Sequence, residues 1–148
     1  MEQRTIQTSR QLSAARQIDA AIAHFDAGDF ECAITLSHAA EGAIPEPSSS
    51  KSLLRRLIER AREFPLQNGQ NDDFNFAANW LKHQSGPEEW EIEETLVKIW
   101  LQRAVSKFYQ VYGIGTPAMV ELLPWAGKIR HSHRRLHGLV VIWKPLKI

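Results

Sequence analysis

The stretch Gly28-Asp29-Phe30-Glu31-Cys32-Ala33-Ile34 decides the fold of this chain, because it joins two helical patterns through a very short turn. Apolar residues recur at helical spacing over residues 9–27, and a second helical pattern covers residues 30–43. The glycine and the aspartate end the first helix, so the two helices must fold back as an antiparallel hairpin. Small alanines in the second helix allow the two backbones to approach closely.

Two shorter helices follow this hairpin. Ser50 is expected to cap a third helix that runs to about residue 63, with its leucines facing inward and most of its arginines facing outward. Asp72 or Asp73 is expected to cap a short fourth helix that ends before Ser85.

The fifth helix, residues 88–112, has the strongest apolar pattern, and glutamates fill its first turn, where they suit the positive end of the helix dipole. Thr116 and Pro117 then begin a short helix that ends at Leu123. The sequence therefore predicts an all-α, single-domain bundle of about five helices with a short extra helix in residues 1–123. A basic C-terminal extension, residues 124–148, follows it.

The charge of the chain is unevenly distributed along its 148 residues. The formal net charge is only +1, but six basic side chains and no acidic one follow Glu121. The preceding part is therefore acidic, with 12 basic and 17 acidic residues. The hydrophobic content of 43% is ordinary for a globular protein and argues against wholesale disorder.

Cysteine use and apolar patterning bear on the compartment. Cys32 is the single cysteine, so no internal disulfide forms, and its helical position predicts a small buried thiol in a reducing compartment. The N-terminal residues lack the apolar core of a signal peptide. The longest apolar run, residues 139–143, is far shorter than the roughly 20 residues that cross a bilayer. We expect a cytoplasmic protein without membrane association.

A second stretch, Asn79-Trp80-Leu81-Lys82-His83, lies on the fourth helix. Together with the Gly28-Asp29-Phe30 turn and the Ala39-Ala40-Glu41 stretch, it makes residues 9–112 resemble the HEPN family. That family comprises small helical bundles among RNA-processing and toxin-like proteins. Its motif is an arginine followed, after four to six residues, by a histidine, and the pair cleaves RNA without a metal.

Carried over by position, His83 matches the motif histidine and Asn79 the polar residue after the arginine, which leaves Ala78 where the arginine belongs. In the family the histidine acts as an acid or base on the ribose hydroxyl, and the arginine steadies the phosphate. Lys82 supplies a charge beside His83, although it lacks the bidentate grip of a guanidinium. Equally, Lys82 and His83 are the polar end of a helix, where cations suit the dipole.

This resemblance implies a nucleic-acid-associated module, either a degenerate metal-independent RNase or a toxin–antitoxin or regulatory binder. The departure at Ala78 favours a protein that does not cleave. The resemblance also implies RNA or a protein as the partner, a homodimer that shares the face with Asn79 and His83, and no cofactor.

Glu41 lies among small apolar residues of the second helix. If buried, its carboxylate needs a partner, for which Lys82 or His83 is suitable. If it faces solvent at the end of its helix, no partner is needed. Both interpretations agree with the sequence.

The C-terminal extension contains a basic patch, in which Arg130, Arg134, Arg135 and His137 are candidates for nucleic-acid contacts. A solvated tail without a partner is the alternative. No carboxylate or cysteine nearby completes a site around the histidines at 131, 133 and 137, so no metal site is predicted. Trp125 and Trp143 would mark a partner surface if they are exposed.

Residues 9–45 also resemble one helical hairpin of a tetratricopeptide repeat, which implies a scaffold for protein–protein interaction. About three repeats are needed for a stable array, and the sequence contains no further copy. Trp80, Trp90 and Trp100 are expected to anchor the core or an interface in either case.

Overall fold

The structure is a computed structural model that describes residues 3–63, 74–83 and 86–122. Within these ranges the chain is all-helical, which confirms the predicted all-α bundle with a short extra helix. The helices are α1 (Arg10–Ala27), α2 (Phe30–Ala43), α3 (Leu53–Glu63), α4 (Phe76–Lys82), α5 (Glu94–Tyr112) and α6 (Pro117–Glu121). Across these same residues, no helix is long and apolar enough to cross a membrane. The C-terminal extension lies outside the described residues.

The α1–α2 hairpin forms as predicted. The Ser9 hydroxyl caps α1 by accepting a hydrogen bond from the backbone N–H of Leu12 at 3.1 Å. Gly28 ends α1 with φ 82°, a left-handed conformation that costs glycine least. The next N–H, that of Asp29, donates to the carbonyl of His24 at 2.8 Å, so the chain reverses within two residues.

Two groups of buried residues make up the core. The first joins α1, α2, α5 and α6, and the second joins α2 to α4 and α5. The first group is Ala14, Ala15, Ile18, Ala21, Ile22, Ala40, Ile44, Leu101, Ala104, Val105, Phe108 and Met119. The second group is Ala33, Ile34, Ala77, Ala78, Val97 and Trp100. Because α5 contributes large side chains to both groups, it is the central helix of the bundle, as its apolar pattern predicts.

The start of α3 differs from the prediction. Ser50 does not cap this helix, which begins at Leu53. The hydroxyl of Ser52 lies 3.4 Å from the backbone N–H of Arg55 and accepts its hydrogen bond. Ser50 instead accepts a hydrogen bond from the side-chain amide of Gln110, at 3.2 Å. The serine closer to the apolar pattern therefore takes the capping position.

The fourth helix begins later than predicted. Asn75 occupies the N-cap position of α4, so neither Asp72 nor Asp73 caps it directly. Both aspartates lie outside the described residues. Ala77 and Ala78 face the second core group, and the helix ends at Lys82.

The fifth helix begins at Glu94, so the prediction of a start at residue 88 is wrong. Trp90 and Ile92 are half-buried against the second core group, while the glutamates between and around them are exposed. This alternation has a period of two, which is typical of extended chain and cannot be satisfied by a helix. The crowded glutamates therefore precede α5 instead of filling its first turn.

Cys32 is exposed, which contradicts the expectation of a buried thiol. The buried face of α2 consists of Ala33, Ile34, Ser37, Ala40 and Glu41. Position 32 lies about 100° around the helix from position 33, which is enough to turn the side chain toward solvent.

The last helix agrees with the prediction at its start and ends two residues earlier. The Thr116 hydroxyl accepts a hydrogen bond from the N–H of Met119 at 3.3 Å, and Pro117 occupies the first turn. The same hydroxyl donates to the carboxylate of Asp19 and so ties α6 to α1. This contact holds the end of the described chain against the first core group.

We expect Gly115→Ala to destabilise the protein by about 1–3 kcal/mol, because a Cβ at this buried position would overlap the phenol ring of Tyr109. Gly42→Ala is the matched control. Gly42 lies on the exposed side of α2 with nothing near its missing Cβ, so the alanine should stabilise the helix by roughly 0.5–1 kcal/mol. Urea denaturation of the two variants measures both values, and an equal response would contradict this assignment.

Candidate functional site at the α2, α4 and α5 junction

A buried ion pair joins α2 to α5. The Nε and Nη2 atoms of Arg103 donate to the two carboxylate oxygens of Glu41, at 3.1 and 2.7 Å. Arg103 is 2% exposed and Glu41 5%, so both charges lie inside the bundle. Two parallel hydrogen bonds of this kind are the strongest geometry available to an arginine and a carboxylate.

The remaining donors of the guanidinium hold the chain that enters α4. Arg103 Nη1 donates to the carbonyl of Phe74 at 2.6 Å, and Nη2 also donates to the Asn75 side-chain oxygen at 2.9 Å. The flat face of the guanidinium stacks on Trp100, with 3.8 Å between the Arg103 Cζ and the ring centroid. One buried side chain therefore connects three helices.

Glu41 is thus buried, and its predicted partners, Lys82 and His83, are wrong. The sequence reasoning overlooked Arg103. Arg103 lies three residues after Trp100 and one before Ala104, within the apolar stripe of α5. A cation at such a position is the sequence feature that could have indicated a buried ion pair. A cation at such a position requires a buried carboxylate, and Glu41 was the candidate already singled out.

A second polar contact lies at the surface end of this junction. The Lys82 ammonium of α4 lies 2.6 Å from Nδ1 of His38, which is on α2 and half-buried. Since an ammonium only donates, Nδ1 is the acceptor and the ring proton is on Nε2. The rings of His38 and Trp100 form an edge-to-face pair with 5.4 Å between centroids, and Trp100 also contacts Arg103.

The surroundings of His38 favour a neutral ring. Burial lowers the pKa of His38 below its ordinary value, and the positive charge of Lys82 lowers it further. The carboxylate of Glu41 acts in the opposite direction, and Arg103 adds a smaller lowering effect. In this arrangement the neutral imidazole presents an N–H donor, Nε2–H, next to an ammonium, and both groups suit a phosphate oxygen.

The residues singled out by the HEPN resemblance differ in their exposure to solvent. Lys82 and His83 are exposed at the end of α4, and Asn79 is half-buried one turn earlier. Ala78 is fully buried against the second core group, so an arginine at that position would point into the core. His38, which no motif indicated, is the imidazole that the structure brings next to Lys82.

Other predicted site residues are not described. Arg130, Arg134, Arg135 and His137 all lie outside the described residues, as do the histidines at 131 and 133. Among the residues that are described, no group of three or more histidine, cysteine, aspartate or glutamate side chains is arranged to hold a metal ion.

Comparison with protein-family models, with curated proteins and with solved structures gave no match to this chain. The geometry of the junction therefore carries the functional argument.

We expect Glu41→Gln to lower the free energy of unfolding by about 3–5 kcal/mol, because it leaves the Arg103 charge buried without a counter-charge. The control is Glu59→Gln, which breaks the exposed pair between Lys51 and Glu59 and should cost about 0–1 kcal/mol. Urea denaturation provides both numbers. Losses of similar size would show that the buried pair is no more important than a surface pair.

The lowered pKa of His38 should appear in the pH dependence of stability. The unfolded chain protonates this ring at a higher pH than the folded protein does, so the folded state loses stability as the pH falls through the ordinary histidine range. We expect His38→Gln to reduce this loss of stability between about pH 7 and 5. The control His24→Gln retains His38, so the loss of stability that His38 causes should remain. Urea denaturation at several pH values tests it, and equal slopes for wild type and His38→Gln would contradict it.

Proposed function

We propose that this protein is a HEPN-like, RNA-associated module that binds an RNA phosphate at the edge formed by Lys82 and His38. The contact between these two side chains is the observation that carries the proposal. Lys82 supplies the charge for a phosphate oxygen, and His38 offers its Nε2–H as a neutral donor. Asn79 and His83, on the same end of α4, extend this polar edge.

The chemistry favours binding over cleavage. Efficient cleavage needs a guanidinium or an equivalent clamp on the developing charge of the phosphorane. Ala78 is buried, and the nearby guanidinium of Arg103 is directed to Glu41, Asn75 and Phe74. Among the described residues, Lys82 is the cation in contact with His38, so the protein acts as a binding or regulatory component, in the manner of a degenerate RNase or a member of a toxin–antitoxin pair.

The C-terminal basic residues and a second copy of the chain belong to the same proposal. Arg130, Arg134, Arg135 and His137 add sequence-independent attraction for the phosphate backbone. Two copies associated through the face that carries Asn79 and His83 would bring two such edges together.

A tetratricopeptide-like scaffold is the competing proposal. The central helix α5 packs against both α1 and α2, so the hairpin face that would contact a neighbouring repeat is covered within the chain. This packing favours the bundle interpretation. A scaffold would show no salt-dependent affinity for RNA.

We expect Lys82→Gln to weaken the binding of a mixed-sequence single-stranded RNA several-fold and to reduce the slope of log affinity against log salt by about 1. Lys51→Gln is the matched control, since it removes one exposed cation from the α3 region and should have a smaller effect at this edge. Fluorescence anisotropy at two or more salt concentrations measures the affinity. Equal affinities for the two variants would contradict the proposed site.

Cleavage is followed in parallel on the same RNA, in the presence of a chelator. Little or no product is expected from wild type. If product does appear and is lost in His38→Gln but not in His24→Gln, then the pair cleaves as well as binds, and the regulatory interpretation is wrong.

A further inference from the structure

A cluster of three aromatic side chains forms a surface beside the N-terminal end of α5. Trp90 packs edge-on against Phe76 and Trp80, with 5.2 and 5.7 Å between ring centroids. The indole N–H of Trp80 donates to the carbonyl of Pro87 at 2.6 Å and closes the cluster. The rings are only partly covered, and Phe76 is 40% exposed.

Glutamates surround these rings. All five acidic residues of the segment that carries Trp90 are exposed, and Glu94 forms an ion pair with Lys98. The five are Glu88, Glu89, Glu91, Glu93 and Glu94. We call this region, with the three rings, the acidic aromatic surface. Its negative charge repels a phosphate backbone, so it is unsuited to RNA and suited to a basic segment with apolar side chains.

The chain itself contains such a segment. Residues 124–148 have six basic and no acidic side chains, together with Trp125, Trp143 and the apolar run of residues 139–143. The charges of the two regions are complementary, and both supply apolar groups. Aromatic rings also attract cations to their faces, so basic side chains can interact with both the glutamates and the rings of this surface.

The segment is long enough to reach the surface. Leu122 packs against the first core group, near the C-terminal end of α5, whereas the acidic aromatic surface lies at its N-terminal end. A helix of 19 residues, the length of α5, spans about 28 Å. The 26 residues after Leu122 reach roughly 86 Å when fully extended, so the connection requires no strain.

We propose that the C-terminal segment, residues 124–148, docks on the acidic aromatic surface of its own chain. Covalent attachment gives the segment a local concentration on the order of millimolar, so even a weak contact is populated. The acidic aromatic surface uses other side chains than Lys82 and His38, so the docking does not rest on the proposed RNA binding. It also places the basic residues of the segment in competition between glutamates and any RNA.

The test compares hydrogen exchange of the segment amides in three full-length proteins. These are wild type, Glu89→Lys with Glu91→Lys, and the control Asp26→Lys with Glu63→Lys. Both doubles change the net charge equally, and all four positions are exposed. The control positions lie near helix C-termini, where lysine is tolerated well.

We expect protection of residues 124–148 in wild type and in the control, and exchange about tenfold faster in Glu89→Lys with Glu91→Lys. Adding Arg134→Glu and Arg135→Glu to that double should restore part of the protection, since the charges are then exchanged. High salt should remove protection in wild type.

Three results would overturn the proposal. Amides that exchange freely in wild type show that the segment does not dock. Equal protection in all three proteins shows that it docks elsewhere. Protection that increases with protein concentration shows that the surface receives the segment of another copy. Near-ultraviolet circular dichroism, which sums the signals of all aromatic side chains, checks in each case that the variants are folded.

Discussion

The bidentate contact between Arg103 and Glu41 is the interaction on which the rest of this structure depends. Two buried charges are costly to remove from water, and the pair is tolerable because nearly every donor of the guanidinium finds an acceptor. The same contact fixes the entry to α4, a helix of only seven residues that is too short to be stable alone. The position of Lys82 relative to His38 therefore depends on a salt bridge that neither residue contacts directly.

Trp100 connects this interior to the candidate site. Arg103 lies over one face of its ring, and the ring of His38 meets it in an edge-to-face arrangement. Trp100 is itself buried, at 1% exposure, and it contacts both the buried ion pair and the half-buried His38.

The sequence predicts the architecture well and the site poorly. Local signals predict the bounds of α1 and α2 and the C-terminal end of α5. These signals are the Gly28 turn and the apolar spacing for the first two helices, and Gly113 for α5. The predicted start of α5 is wrong. The alternation of buried and exposed residues around Trp90 depends on a contact with Trp80 of α4, which the pattern of a single segment does not reveal. The partners of Glu41 and Lys82 are missed for the same reason. Glu41 is 62 residues from Arg103, and Lys82 is 44 residues from His38. Periodicity describes one helix at a time, whereas these contacts arise from helix packing.

The long separation between Arg103 and Glu41 has a consequence for the order of folding. The α1–α2 hairpin depends on contacts between neighbouring segments, and such contacts form quickly. It is also made first by the ribosome, so it exists before α5 has been synthesised. Until Arg103 is available, burying the Glu41 carboxylate would leave a charge without a counter-charge, which is costly. The part of the hairpin around Glu41 can therefore be buried at low cost only after α5 has been made.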